Sequence, residues 1–262
     1  LRTRIEAGKV RGPAILTVDQ PFFPKDGVPG YVPDEIGGWS LKLAEVATPA
    51  EARERAETQL RQGADGLKVF AGAIVGGDVG VLPMEPAIAR AVVDAARAAG
   101  KPVFSHPSNL EGIEVSIASG VNVFAHGTPM IGPWSGGLAH RIVEAGIALV
   151  PTLKLIELEM LKEGAPASAI EEGLAASRQQ LRAFSDAGGT VLFGTDSCYV
   201  DWYDTRDEFR LMHEAGLDWR KVLASMTTAP AAFFGQDGHK GRIVEGLDAD
   251  LVVLAGDPED DI

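Results

Sequence analysis

The chain has a single cysteine, Cys198, in 262 residues. An intramolecular disulfide is therefore impossible, and a cysteine-based zinc cluster is excluded. Basic residues are also scarce: 24 Lys and Arg against 37 Asp and Glu give a formal net charge of -13. Because nucleic-acid binding needs basic patches for the phosphates, we expect no nucleic-acid partner. The sequence has no apolar run of transmembrane length, so we expect no membrane partner either.

The first residues, LRTR, contain neither an initiator methionine nor a signal peptide. We therefore expect a processed or truncated form of a longer protein, with the cytoplasm as the expected compartment. A hydrophobic share of 45% and a charged share of 23% are ordinary for a globular enzyme. The sequence leaves the oligomeric state open, including a homo-oligomer.

One phrase recurs five times: a glycine, a short apolar run and then a polar side chain. The copies are GADGLKVF, GKPVFSH, GVNVFAH, GIALVPT and GGTVLFGTD, which deliver Lys68, His106, His126, Thr152 and Asp196. Glycine commonly follows a helix C-terminus, and such apolar runs suit the buried strands of a parallel sheet. The phrase predicts an α/β fold in which polar residues gather at the carboxyl ends of the strands.

The absence of a glycine-rich phosphate fingerprint after any strand favours a (β/α)8 barrel over an open doubly wound sheet. We count about six strand-helix units where such a barrel has eight, so the predicted barrel is incomplete. Residues 14–18 are predicted to form a strand, residues 20–38 a long loop, and Thr48 and Pro49 a helix start. The tail, GRIVEGLDADLVVLAGDP, predicts two short strands around Gly246 and a separate small β element. The predicted division is a barrel over residues 1–235 and this element over 236–262.

The two strand-end histidines, His106 and His126, are the strongest candidates for a metal site. Either could instead be satisfied by local hydrogen bonds, but two at equivalent positions favour metal ligation, since neutral imidazole is a common zinc ligand. Asp196 could cap the following segment, or bind metal and take a proton from activated water. Lys68 could reach the barrel rim, pair with Asp196, or become a metal ligand after carboxylation of its amine.

Other candidates are weaker. His140 and His213 fall in helical segments and His239 in a glycine-rich turn, which favours structural or surface roles. Cys198 and Tyr199 follow Asp196 closely enough to line the mouth of the barrel, although Cys198 could equally be a packed core residue.

The sequence resembles the amidohydrolase superfamily in an ordered set of motifs: KVF, FSHPSN, VFAHGTP, VPTL and LFGTDS. The tail MTTAPAAFFGQDGHKGRIVEGLDADLVVLAGDP strengthens this resemblance. Within it, the branch of imidazolonepropionase-like enzymes and Xaa-Pro or Xaa-Arg dipeptidases is the most similar. The resemblance implies a distorted (β/α)8 barrel with an ancillary β-sandwich, to which residues 236–262 contribute. It also implies hydrolysis of an amide carbonyl by a metal-activated hydroxide.

The resemblance further implies a role for each residue of the site. Lys68 corresponds to a carboxylated ligand that bridges two metals, and His106 and His126 to ligands of the second metal. Asp196 corresponds to a ligand of the first metal that shuttles the proton to the leaving amine. Zinc, as one or two ions, is the expected cofactor, and a dipeptide or other small amide the expected substrate.

One departure from the family pattern concerns the first strand, where the family carries a His-x-His pair. The sequence contains no His-x-His, and its opening resembles the helix after the second barrel strand. We therefore expect about two βα units to be missing from an otherwise active C–N hydrolase. The alternative is a short paralogue that binds metal or serves as a scaffold without catalysis. A lyase or isomerase on the same barrel is a third reading, because fold alone does not fix chemistry.

Overall fold

The computed structural model describes residues 1–30, 32, 44–197 and 203–260. The strands are β1 Phe22–Pro24, β2 Ala44–Val46, β3 Leu67–Val69, β4 Gly72–Gly76, β5 Gly80–Pro83, β6 Val103–Ser105, β7 Val123–Phe124 and β8 Ala148–Leu149. The helices are α1 Arg2–Glu6, α2 Pro49–Arg61, α3 Pro86–Ala98, α4 Leu110–Ser119, α5 Gly136–Glu144, α6 Leu153–Lys162, α7 Ala167–Asp186, α8 Arg206–Glu214, α9 Trp219–Met226 and α10 Thr228–Phe233. A 3-10 turn covers Pro129–Ile131.

The main sheet is parallel and has the order β2-β1-β3-β6-β7-β8. Its register aligns Val69 with Ser105, Ser105 with Phe124, and Phe124 with Leu149. An isolated parallel bridge from Leu149 to Val191 continues the sheet beyond β8. The predicted α/β class and the incomplete (β/α)8 barrel are confirmed.

Local signals set several helix ends, as the sequence predicts. The Thr48 hydroxyl accepts a hydrogen bond from the Glu51 amide at 3.2 Å, and Pro49 occupies the first position of α2. The Asn109 side chain accepts one from the Gly112 amide at 2.8 Å and begins α4. Gly120 ends that helix in the left-handed conformation. The Thr48 and Asn109 side chains thus satisfy backbone amides that the helix itself leaves unpaired.

The core lies between the sheet and the helices around it. Its largest fully buried side chains include Trp134, Phe22, Phe124, Phe184, Leu67, Ile142, Leu149 and Leu181. Each contributes about 1.5–3 kcal/mol by its removal from water. Among the described residues, none of the helices is both long and apolar enough to cross a bilayer.

The first strand does not lie where the sequence predicts it. Residues 14–18 form no strand, whereas Phe22–Pro24, within the predicted loop 20–38, pairs with β2 and β3. The physical reason is burial: Phe22 and Phe23 are completely buried, while Leu16 is 57% exposed. The part of the predicted loop at residues 31 and 33–38 lies outside the described residues.

The tail also differs from the prediction. Residues 236–260 form turns and bends, and the two strands predicted around Gly246 are not formed. Ile243, Val252 and Val253 are 89%, 85% and 95% exposed. A strand needs a neighbouring strand to pair with, and the described part of the tail pairs with none. The assignment of 236–262 to an ancillary β-sandwich stays a prediction.

Candidate functional site

The carboxyl edge of the sheet brings Lys68, His106, His126 and Asp196 together. His106 follows β6, and its backbone amide donates to the carbonyl of Val69 at 2.9 Å, which locks it beside β3. The rings of His106 and His126 meet edge to face, with centroids 4.8 Å apart. The His126 Nε2 atom lies 3.9 Å from Oδ2 of Asp196. The structure thus places these side chains close to one another, and their assignment to one metal site stays a prediction.

Both imidazoles are held in the neutral form. Burial, with a smaller effect of the nearby Lys68 ammonium, lowers the pKa of His106 to about 3. Burial, followed by His106 and Lys68, lowers the pKa of His126 well below its usual value. A neutral imidazole keeps a nitrogen lone pair, which is the form that binds a metal.

The His106 ring is positioned by stacking on aromatic neighbours. It lies on the Phe70 ring with centroids 4.6 Å apart and 20° between the planes, and Phe23 packs on Phe70 in turn at 4.4 Å. Its Nδ1 atom is buried, and no described residue hydrogen-bonds to it. A buried imidazole nitrogen without a partner among the described residues is what a site for a bound ion or water would contain.

Lys68 and Asp196 form the charged part of the site. Burial lowers the pKa of the Lys68 amine, and the charge of Asp196 acts in the opposite direction. The Lys68 Nζ atom lies 5.3 Å from the centre of the Phe70 ring. Asp196 has a left-handed backbone, with φ at 57°, and burial raises the pKa of its carboxyl against the opposing effect of Lys68. Left-handed backbone at a non-glycine residue is uncommon and often marks a functional position.

The donor chemistry fits a divalent cation of the zinc type, because it combines two imidazole nitrogens with a carboxylate. The set is incomplete as it stands, however. Within residues 1–30, 32, 44–197 and 203–260, no three or more His, Cys, Asp or Glu side chains are grouped to hold a metal ion. The role of Lys68 as a carboxylated ligand stays a prediction.

The surroundings of His126 include residues to which the sequence assigns no role. The Thr152 hydroxyl lies 2.8 Å from His126 Nδ1. The loop after His126 is held by Gln180, whose side chain bonds the amide and carbonyl of Thr128 at 2.8 and 2.9 Å. The position of Thr152 at a predicted strand end was the sequence signal that could have placed it in the site. Gln180 lies in a helix and carries no comparable signal.

The three remaining histidines fall outside this cluster. His140, His213 and His239 are all exposed, in agreement with surface roles. Cys198 and Tyr199, predicted to line the mouth, lie outside the described residues.

This chain has a parallel α/β sheet with polar residues at its carboxyl edge. The arrangement is typical of α/β barrel proteins, which build their sites at the carboxyl ends of the strands. The chain belongs to the amidohydrolase family, whose sequence pattern it matches over residues 22–262. No curated protein sequence matches it significantly.

Solved structures share this fold. A Xaa-Pro dipeptidase with bound methionine in its active site is 24% identical, with a TM-score of 0.81 over 99% of this chain and 66% of that chain. A putative prolidase from Bifidobacterium longum is 26% identical, with a TM-score of 0.75 over 99% of this chain and 64% of that one. The ochratoxinase of A. niger is 20% identical, with a TM-score of 0.79 over 99% and 64%. This chain therefore spans less than two thirds of the length of each of these structures.

Proposed function

We propose that this chain carries the active site of a metal-dependent hydrolase that cleaves a C–N bond in an amide or peptide. The observation that carries the proposal is the buried pair of neutral histidines, one with an unpartnered Nδ1 atom, beside the Asp196 carboxylate. Membership of the amidohydrolase family supports the same reaction class.

The residues that would hold the cation are Lys68, His106, His126 and Asp196, with zinc as the proposed metal. His106 would bind through Nδ1, because this atom is otherwise unsatisfied. His126 would bind through Nε2, because its Nδ1 atom is engaged by Thr152. A bound divalent cation would lower the pKa of water and polarise the substrate carbonyl.

Carboxylation of Lys68 would complete the ligand set. The neutral amine attacks the carbon of CO2, forms an N–C bond and releases one proton, so the product is an anionic carbamate. Burial lowers the pKa of Lys68 and so favours the neutral amine that this step needs. The carbamate would also remove the cost of an ammonium beside two imidazoles.

The Asp196 carboxylate would act as the proton carrier. Its raised pKa makes it a better base than an exposed aspartate, so it can take a proton from water and deliver it to the leaving amine. A dipeptide is the proposed substrate class, because a Xaa-Pro dipeptidase and a putative prolidase share this fold.

The test compares the wild-type protein with Lys68→Arg, which keeps a positive charge and cannot be carboxylated. Lys101→Arg is the matched control, because Lys101 is 39% exposed and pairs with Asp65 outside the site. Addition of 13C-labelled bicarbonate should produce a carbamate carbon signal in the wild type and Lys101→Arg, and none in Lys68→Arg. A signal that survives in Lys68→Arg contradicts carboxylation at this residue.

Metal content and turnover test the rest of the proposal. Elemental analysis should find at least one equivalent of zinc, manganese or iron in the wild type. A screen of dipeptides and N-acyl amino acids should detect amine release. Protein that takes up no divalent metal and releases no amine would favour the alternative, a scaffold without catalysis.

A further inference from the structure

Thr152 has a backbone conformation that its side chain disfavours. Its φ and ψ are 47° and 50°, the left-handed region, and it is only 1% exposed. A β-branched residue rarely adopts this region, and the strain is of order 1–3 kcal/mol. Contacts around Thr152 must therefore hold it in place.

Glu208 on α8, which is distant in sequence and 1% exposed, holds the two residues that follow Thr152. Its Oε1 atom accepts the backbone N–H of Leu153, and its Oε2 atom accepts that of Lys154, both at 2.8 Å. These amides open α6 and have no partner within the helix. The carboxylate of another helix thus caps α6.

This arrangement releases the side chain that would ordinarily make the cap. Thr152 is the N-cap residue of α6, and a threonine there usually accepts a bond from its own helix. Its hydroxyl makes no such bond and lies instead 2.8 Å from Nδ1 of His126. Because Glu208 satisfies the helix, the hydroxyl is available to the imidazole.

The direction of this hydrogen bond sets which nitrogen of His126 is left for a ligand, because the hydroxyl can either donate to Nδ1 or accept from it. An Nδ1–H that donates to the Thr152 oxygen leaves a lone pair on Nε2, the atom 3.9 Å from Asp196. A histidine that binds metal generally donates its other N–H to an oxygen acceptor such as a carboxylate, a backbone carbonyl or water, which fixes the tautomer and the ring orientation.

We propose that Glu208 is a positioning residue of this site: by capping α6 it holds Thr152 so that its hydroxyl orients His126 with Nε2 free. The proposal rests on the proposed function in one respect, that Nε2 of His126 is a metal ligand.

The experiment uses four variants and two measurements at about pH 8. Thr152→Val removes the hydroxyl, and Thr152→Ser restores it. Glu208→Gln removes one of the two backbone acceptors, and Asp207→Asn is the matched control, because Asp207 precedes Glu208 on α8 but contacts the Lys154 side chain instead. The first measurement is the tautomer of His126 by 15N NMR of metal-free protein. The second is the affinity for Zn²⁺ alone, by competition with a chelator.

The wild type, Thr152→Ser and Asp207→Asn should show His126 protonated on Nδ1. Thr152→Val and Glu208→Gln should lose this preference and bind Zn²⁺ about 10–100-fold more weakly. A folded Glu208→Gln protein with the wild-type tautomer and wild-type affinity would overturn the proposal. If Glu208→Gln is too unstable to purify, Thr152→Val decides, since an unchanged His126 without the hydroxyl overturns the proposal equally.

The two measurements separate this inference from the proposed function. A wild-type protein that does not bind Zn²⁺ would refute the proposed function. The tautomer of His126 in metal-free protein would still show whether Glu208 and Thr152 orient the ring.

Discussion

Replacement of Glu208 by glutamine should remove a pH dependence of stability that the wild-type chain carries near neutrality. Burial raises the pKa of this carboxyl from 4.5 to about 7, although the backbone amides of Lys154 and Leu153 act in the opposite direction. The carboxyl is 1% exposed, so solvent screens the effect little. Glutamine has nearly the same shape and does not titrate.

The sign follows from the proton that each state holds. Between pH 4.5 and about 7 the folded state keeps the Glu208 proton, while the unfolded chain releases it. The stabilising contribution is therefore complete below pH 4.5 and is lost as the pH rises through about 7. At about 1.4 kcal/mol for each tenfold change in proton affinity, the free energy of unfolding changes by about 3 kcal/mol.

The assay is urea unfolding of the wild type and Glu208→Gln at several values between about pH 4.5 and 8. The difference between their unfolding free energies cancels every group that titrates equally in both proteins and leaves the contribution that depends on Glu208. We expect this difference to fall by about 3 kcal/mol across the range. Asp204→Asn is the control: Arg206 lowers the pKa of Asp204 from 3.8 to about 2, so its curve should be flat over the same range.

A flat or rising Glu208 curve beside a flat Asp204 curve would refute the reasoning. It would mean that the two backbone N–H bonds outweigh the cost of burying the charge. The capping contacts would remain, but Glu208 would be ionised in the folded state at acidic pH.

Three further predictions concern the site and its supports. Asp196→Asn should abolish turnover, because asparagine cannot carry the proton. It should change Tm by no more than about 2 °C, because asparagine also tolerates left-handed backbone. A variant that is unfolded, or one that keeps full activity, would contradict the proton role. Gln180→Leu should lower the free energy of unfolding, measured in urea, by about 2–4 kcal/mol, because it leaves backbone groups of the loop after His126 without partners. An unchanged unfolding midpoint would mean that water replaces the Gln180 side chain as their partner. Gly112→Ala should lower the free energy of unfolding by about 3 kcal/mol, because its Cβ would lie 1.9 Å from the Pro107 carbonyl oxygen. The helical control Gly137→Ala, whose Cβ would have no neighbour closer than 4.0 Å, should be neutral or stabilising. Equal effects of the two substitutions would disprove the steric argument.

Local signals in the sequence were sufficient for much of the fold. Thr48 and Asn109 begin helices through their own side chains, and Gly120 ends one with its left-handed backbone. These interactions span only a few residues, so sequence order alone specifies them. The polar residue within or after each apolar run likewise predicted Lys68 and His106 near the same edge, because parallel strands carry their carboxyl ends on one side.

Predictions that required a partner strand were less successful. Residues 14–18 have the apolar character of a strand, but Phe22–Pro24 occupies the place between β2 and β3. The apolar tail around Val252 and Val253 forms no strand, because an apolar run cannot specify its own hydrogen-bonding neighbour.

The sequence by itself determined the parallel α/β class, several helix ends and the choice of four candidate ligands, because each depends on local propensity or on the direction of a strand. Only the tertiary structure decided which nitrogen each histidine leaves free. The unpartnered Nδ1 of His106 depends on stacking against Phe70, and the engaged Nδ1 of His126 on Thr152. Thr152 depends in turn on Glu208, 56 positions further along the chain, and no pattern of neighbouring residues encodes a contact over that separation.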